Sequence, residues 1–140
     1  MDRRELQIAW AAGFLDGEGC FNLSKNSGRG CHETTKNAVI HASQIRKAPL
    51  ERLAELFGGN VNVMRVNDKG QVIYQWCLTG SQLVPIIEEL LPYLVGKQEE
   101  AQAVLDYCKT IGARRGKPVS RWTVVQRRAI IARHTSARGR

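Results

Sequence analysis

"WAAGFLDGEGCF", residues 10–21, decides how the rest of this chain is read. It opens as a helix of small and apolar residues and ends in two acids, Asp16 and Glu18, set among glycines. Ala9, Gly13 and Gly17 recur every four residues and form a stripe along one helix face, with Ala12 and Asp16 beside it. A stripe without bulk lets two backbones approach closely. It suits packing against another helix of the same chain, and equally packing against the same helix of a second copy about a two-fold axis, the common dimer geometry. Carboxylates at a helix C-terminus face the negative end of the macrodipole, a costly place unless something positive is bound there. About a two-fold axis two Glu18 side chains converge, and a cation relieves their repulsion.

The charge distribution says what else the chain meets. Its 140 residues carry net charge +8. Residues 1–106 hold 11 Lys/Arg against 13 Asp/Glu, whereas residues 107–140 hold 10 Lys/Arg and no acid. A basic block of this kind binds a polyanion or is a solvated tail. It lacks a strong apolar face, which favours nucleic acid over an anionic membrane. No apolar run approaches the roughly 20 residues needed to span a bilayer. The opening "MDRRELQ" has no apolar signal region, so an intracellular protein with no membrane partner is expected. The four cysteines form no CxxC pair and read as reduced thiols.

Periodicity predicts a helix over 4–17, then alternating strands over 20–26 and 34–45. Pro49 sits in the first turn of the next helix, which Gly58-Gly59 ends. Strands over 60–66 and 71–78 flank "NDKG", a hairpin signal. A helix over 81–94 follows with Ser81 as its expected N-cap, then another over 97–111, a basic loop, and a last short helix over 122–134. Four antiparallel strands with segregated helices make an α+β domain. One sheet face is apolar and packs on helices. The other presents Asn22, Ser24, Asn26, Asn37, His41, Ser43, Asn62, Gln71 and Gln75, with Arg65 and Lys69 near the hairpin. Such a face is either simply solvated or reads base edges in a major groove. Trp10, Trp76 and Trp122 read as core or interface anchors.

"AAGFLDGEG", residues 11–19, resembles the signature of the LAGLIDADG homing endonucleases. "SQIRK" resembles the glutamine-containing segment of that family, and "LPYLVGKQEEAQAVL", residues 91–105, its later helix pair. The resemblance covers about residues 5–110. It implies an αββαββα fold whose four-stranded sheet lies in the major groove, with helices on the opposite face. It implies a homodimer that cuts a long, nearly palindromic double-stranded DNA site by hydrolysing one phosphodiester on each strand. By position, Glu18 matches the metal-binding acid, with the Gly17 carbonyl beside it, and Asp16 the more structural acid. Gln44 and Lys97 match outer catalytic positions, and Arg46 or Lys47 the basic residue that follows the glutamine. The interface falls on Ala9, Ala12, Gly13 and Asp16. Mg2+ or Mn2+ is the implied cofactor, with Ca2+ expected to support binding without efficient cleavage. Glu18 departs from the commoner Asp by one methylene. On this reading residues 1–111 are the endonuclease domain, and residues 112–140 a basic extension that includes a short DNA-contacting helix. The alternative is an intron-RNA maturase, with RNA as partner, or a non-cleaving regulator of the same fold.

Overall fold

The structure is a computed structural model that describes residues 2–25, 33–111 and 120–139. Helix α1 (Arg3–Glu18) leads into β1 (Gly19–Lys25) and β2 (Lys36–Gln44), and α2 (Lys47–Phe57) into β3 (Asn60–Val66) and β4 (Val72–Thr79). Three helices close the chain: α3 (Leu83–Leu90), α4 (Gln98–Ile111) and α5 (Arg121–Arg138). The α+β architecture is the expected one.

The strands form one antiparallel sheet in the order β1-β2-β4-β3. Strict alternation assigns the faces. Phe21, Leu23, Ala38, Ile40, Ala42, Trp76 and Leu78 are buried on one side, where α1, α2, α3 and α4 cover them. Each large side chain fully removed from water there contributes about 1.5–3 kcal/mol. Trp76 is fully buried, and its indole N–H donates to the Gly58 carbonyl at 2.9 Å. The β3–β4 hairpin runs past the helices, which leaves Val63, Met64 and Val66 exposed. Its turn is built by Asn67, whose Oδ1 accepts the Lys69 and Gln71 N–H groups, and by Gly70 at φ 77°.

Two local expectations are corrected. Ser81 does not cap α3: it lies inside a 3-10 turn, Gly80–Gln82, and the helix begins after Gln82 without a side-chain cap. The tight turn follows from Gly80 at φ 84°, which redirects the chain straight out of β4. The span 112–140, expected as an extension with a short helix, contains the 18-residue α5. Ser120 caps α5 by accepting the Thr123 N–H at 3.1 Å. Its buried residues, Thr123, Arg127, Ile130, His134 and Ala137, recur at three- and four-residue steps, so one face packs on α4 while the other carries charge. Ile130 joins the main core. Of the loop expected over 112–120, residues 112–119 lie outside the described residues and Ser120 is the cap of α5; Trp122 is 68% exposed, so it is not a core anchor.

Candidate active site and nucleic-acid interface

The end of α1 carries the site. Asp16 is tied down: its carboxylate accepts the Val95 N–H at 2.8 Å and the Lys97 N–H at 3.0 Å, just before α4 begins. Lys97 returns the contact. Its ammonium donates to the carbonyls of Leu15, at 3.1 Å, and Gly19. A cation thus sits on the negative end of the α1 dipole, which offsets the cost of the acids there. Gly19 is required by close approach: a Cβ would lie 2.6 Å from Leu15 Cδ2 and 3.0 Å from the Leu15 backbone.

Glu18 differs from Asp16. It is exposed, and among the described residues its carboxylate has no hydrogen bond or ion pair. A free carboxylate beside the Gly17 carbonyl at a helix end is a hard-oxygen donor set, which suits a divalent ion of the Mg2+ type. The described residues of one chain contain no group of three His, Cys, Asp or Glu able to hold a metal.

The stripe on α1 divides. Gly13 and Gly17 are exposed, and a Cβ at either would meet nothing within 4 Å, so this stripe does not pack within the chain. Leu6, on the same helix, is 57% exposed, and Ala9 is half-buried. Ala12 corrects the expected interface set: it is fully buried in the core of its own chain. Asp16 is half-buried and faces the turn before α4.

Gln44 ends β2 on the helix side of the sheet, opposite Tyr74 and two residues beyond Ala42, the partner of Gly19. Its side chain makes no hydrogen bond to Glu18 or Lys97. The Lys47 ammonium lies 5.5 Å from the centre of the Tyr74 ring, a cation–π contact that brings it to this end of the sheet. Arg46 is exposed at the start of α2.

The opposite sheet face gathers the expected polar residues into rows. Ser24 pairs with Asn37, and Ser43, Gln75 and Asn62 align across β2, β4 and β3. Cys20, His41 and Cys77 form another row, and Asn22 lies opposite Val39. A register shift between Val63 and Arg65 pairs Arg65 with Ile73, which turns Arg65 to the same face as Asn62 and Gln75. No strand among the described residues contains Asp or Glu. The His41 pKa is lowered, first by burial and then by the charges of Arg138 and Lys97. Gln71 braces the hairpin by accepting from the Asn67 amide at 3.0 Å, and Lys69 is exposed at its tip. Asn26 lies outside the described residues. The residue that strand periodicity does not reveal is Arg138, at the end of α5, which donates to Asn22 Oδ1 at 2.9 Å.

A family profile described as LAGLIDADG endonuclease matches residues 11–113. The chain belongs to the LAGLIDADG endonuclease family. Its structure resembles that of the homing endonuclease I-CvuI in complex with its target, at TM-score 0.74 and 23% identity, covering 96% of this chain and 83% of that one. It also resembles the archaeal intron-encoded homing endonuclease I-Vdi141I complexed with DNA, at TM-score 0.73 and 12% identity, over 98% of this chain and 85% of that one. The LAGLIDADG homing endonuclease I-GzeII in complex with its DNA target matches at TM-score 0.71 and 15% identity, over 92% of this chain but 44% of that one. No curated relative matches the chain. These likenesses establish the fold: the LAGLIDADG motif is α1 and its terminal acids, and the sheet is that of the family. No helix among the described residues is long and apolar enough to cross a membrane.

Proposed function

We propose that this chain is a site-specific DNA endonuclease that acts as a homodimer on a long, nearly palindromic duplex and depends on a divalent metal. The observation that carries the reading is Glu18, an exposed carboxylate without a partner, at the end of a helix whose glycine face is open. Two copies joined through Gly13 and Gly17, with Ala9 at the margin, bring two such carboxylates together at the centre of a symmetric assembly.

Glu18 and the Gly17 carbonyl would hold the ion, Mg2+ or Mn2+. When bound, it supplies an activated water and charge stabilisation for the leaving oxygen. The chain's own residues do the rest. Lys97, fixed on the α1 carbonyls, sets a positive charge beside the site, where phosphate charge builds. By the family resemblance, Gln44 at the end of β2 and Arg46 or Lys47 at the start of α2 would order water and stabilise phosphate charge. The acid-free sheet face lies along the major groove, where Asn, Gln, Ser and Arg side chains pair with base edges and phosphates.

The test is a selection of the purified protein against randomised duplexes in Ca2+, which supports binding, followed by Mg2+ on the enriched pool. A pseudo-palindromic consensus cut near its centre supports the reading. A consensus that stays intact under Mg2+ and Mn2+ makes the chain a binding regulator, and absence of any DNA consensus, with preference for structured RNA, makes it a maturase.

A further inference from the structure

Asn22 stands on β1, the outer strand of the sheet, among the polar residues of the open face. Arg138 belongs to the last turn of α5 and donates from Nη1 to Asn22 Oδ1 at 2.9 Å. A second contact fixes this one. His134, one turn earlier on α5 and buried, has its Nε2 2.8 Å from the carbonyl oxygen of Phe21, the residue before Asn22. One turn along the helix and one residue along the strand bring Arg138 beside Asn22, so the register of α5 against β1 sets the pairing.

The chemistry of the pair sets an orientation. A guanidinium has five donors and no acceptor, so the amide atom that faces it must be the oxygen. Oδ1 is turned toward α5, and the NH2 group lies on the other side of the amide. A free asparagine presents a donor and an acceptor together, the pattern that matches adenine N6 and N7. An asparagine held by its oxygen presents donors. Its best match is a base edge made of acceptors, which in the major groove is guanine N7 and O6.

We infer that Arg138 is a positioning residue for sequence recognition: by holding Asn22 Oδ1 it makes Asn22 a reader of guanine rather than adenine at one base pair of each half-site. This rests on the proposed DNA-reading role of the sheet face. It gives the basic C-terminal helix a part in specificity as well as in affinity.

The experiment measures relative affinities in Ca2+ for the selected consensus and all its single-base substitutions, with the wild-type chain, Arg138→Met, Arg138→Lys and Asn22→Ala. Ratios between sites are compared, so a uniform loss of affinity from the missing charge cancels. The expected result is one position per half-site where guanine is preferred to adenine by roughly tenfold. Arg138→Met and Asn22→Ala each collapse that preference to below about threefold and leave the other positions unchanged, while Arg138→Lys, also a pure donor, retains it. If the Asn22-sensitive position ignores Arg138→Met, or prefers adenine in the wild type, Arg138 does not orient Asn22. If a consensus exists but no position responds to Asn22→Ala, the inference falls and the endonuclease reading stands. If no consensus forms with the wild-type chain, the DNA-reading role itself fails.

Discussion

Asp16 and Lys97 hold each other across the junction of two helices: the Asp16 carboxylate accepts the Lys97 backbone N–H at 3.0 Å, and the Lys97 ammonium reaches back to the Leu15 and Gly19 carbonyls on either side of Asp16. The acid fixes the start of α4, and the base neutralises the end of α1. Two carboxylates at a helix terminus therefore have separate fates. One is consumed by backbone donors, and the other, Glu18, is left free.

Removing the acid opens this loop. Asp16→Ala strands the N–H groups of Val95 and Lys97, both bonded to a charged acceptor in the native chain. Partial exposure lets water replace some of the loss, so a destabilisation of about 2 kcal/mol is expected. Urea unfolding followed by circular dichroism measures it. An unchanged midpoint would mean that the turn before α4 holds without Asp16.

Lys97→Met tests the other half. The Leu15 and Gly19 carbonyls lose a charged donor, and the site loses a positive charge next to Glu18. The expected outcome is a fall in single-turnover cleavage of roughly a hundredfold, with target affinity nearly unchanged. Equal losses in affinity and cleavage would make Lys97 a binding residue only.

The glycines of the motif separate by role. Gly19→Ala forces a Cβ onto Leu15, including its backbone, and should cost about 1–3 kcal/mol. Gly13→Ala meets open space and should stabilise the isolated chain by about 0.5–1 kcal/mol through helix propensity. Gly13→Leu should likewise fold, yet leave the chain monomeric in sedimentation equilibrium if two copies meet on this stripe. A Gly13→Leu chain that still dimerises would move the interface elsewhere.

The parts of this architecture visible in the sequence are those carried by local repetition. Alternation in "CFNLSK" and "NAVIHAS" separates Phe21, Leu23, Ala38, Ile40 and Ala42 from the polar face, and the strands of the structure keep that division. The spacing of Ala9, Gly13 and Gly17 marks a smooth helix face, but helical phase also turns Ala12 inward, which spacing does not announce. What escapes is contact between distant segments. Lys97 meets Gly19 across 78 residues, and Arg138 meets Asn22 across 116. The shift that turns Arg65 to the polar face depends on how β3 twists against β4, and no residue type encodes it. A helix over 122–134 is legible, but its full 18-residue extent from Arg121 to Arg138 is not, because exposed arginines interrupt the apolar pattern around the buried Ile130, His134 and Ala137.

His41 gives a pH signature. Its pKa is lowered by burial and by the nearby Arg138 and Lys97 charges, so the folded chain favours the neutral ring. The unfolded chain binds more protons between the two pKa values, so His41 contributes stability above the unfolded value near 6.5 and loses it as pH falls below. His41→Gln should flatten that part of the stability–pH curve. An unaltered slope between wild type and variant would show that His41 titrates normally.

Glu18→Gln is the sharpest separation of fold from activity. The wild-type carboxylate has no partner and faces the negative end of α1, so the neutral amide should leave the unfolding midpoint unchanged or raise it. The same change removes the charged oxygen donor that a divalent ion needs. Cleavage under Mg2+ should fall below detection, while the consensus selected in Ca2+ and its salt dependence survive through the sheet face. A group that does nothing for the fold and whose loss abolishes chemistry has a functional reason to be there. If Glu18→Gln instead destabilises the chain and cuts at the wild-type rate, the acid is structural, and the catalytic carboxylate must be sought at another position.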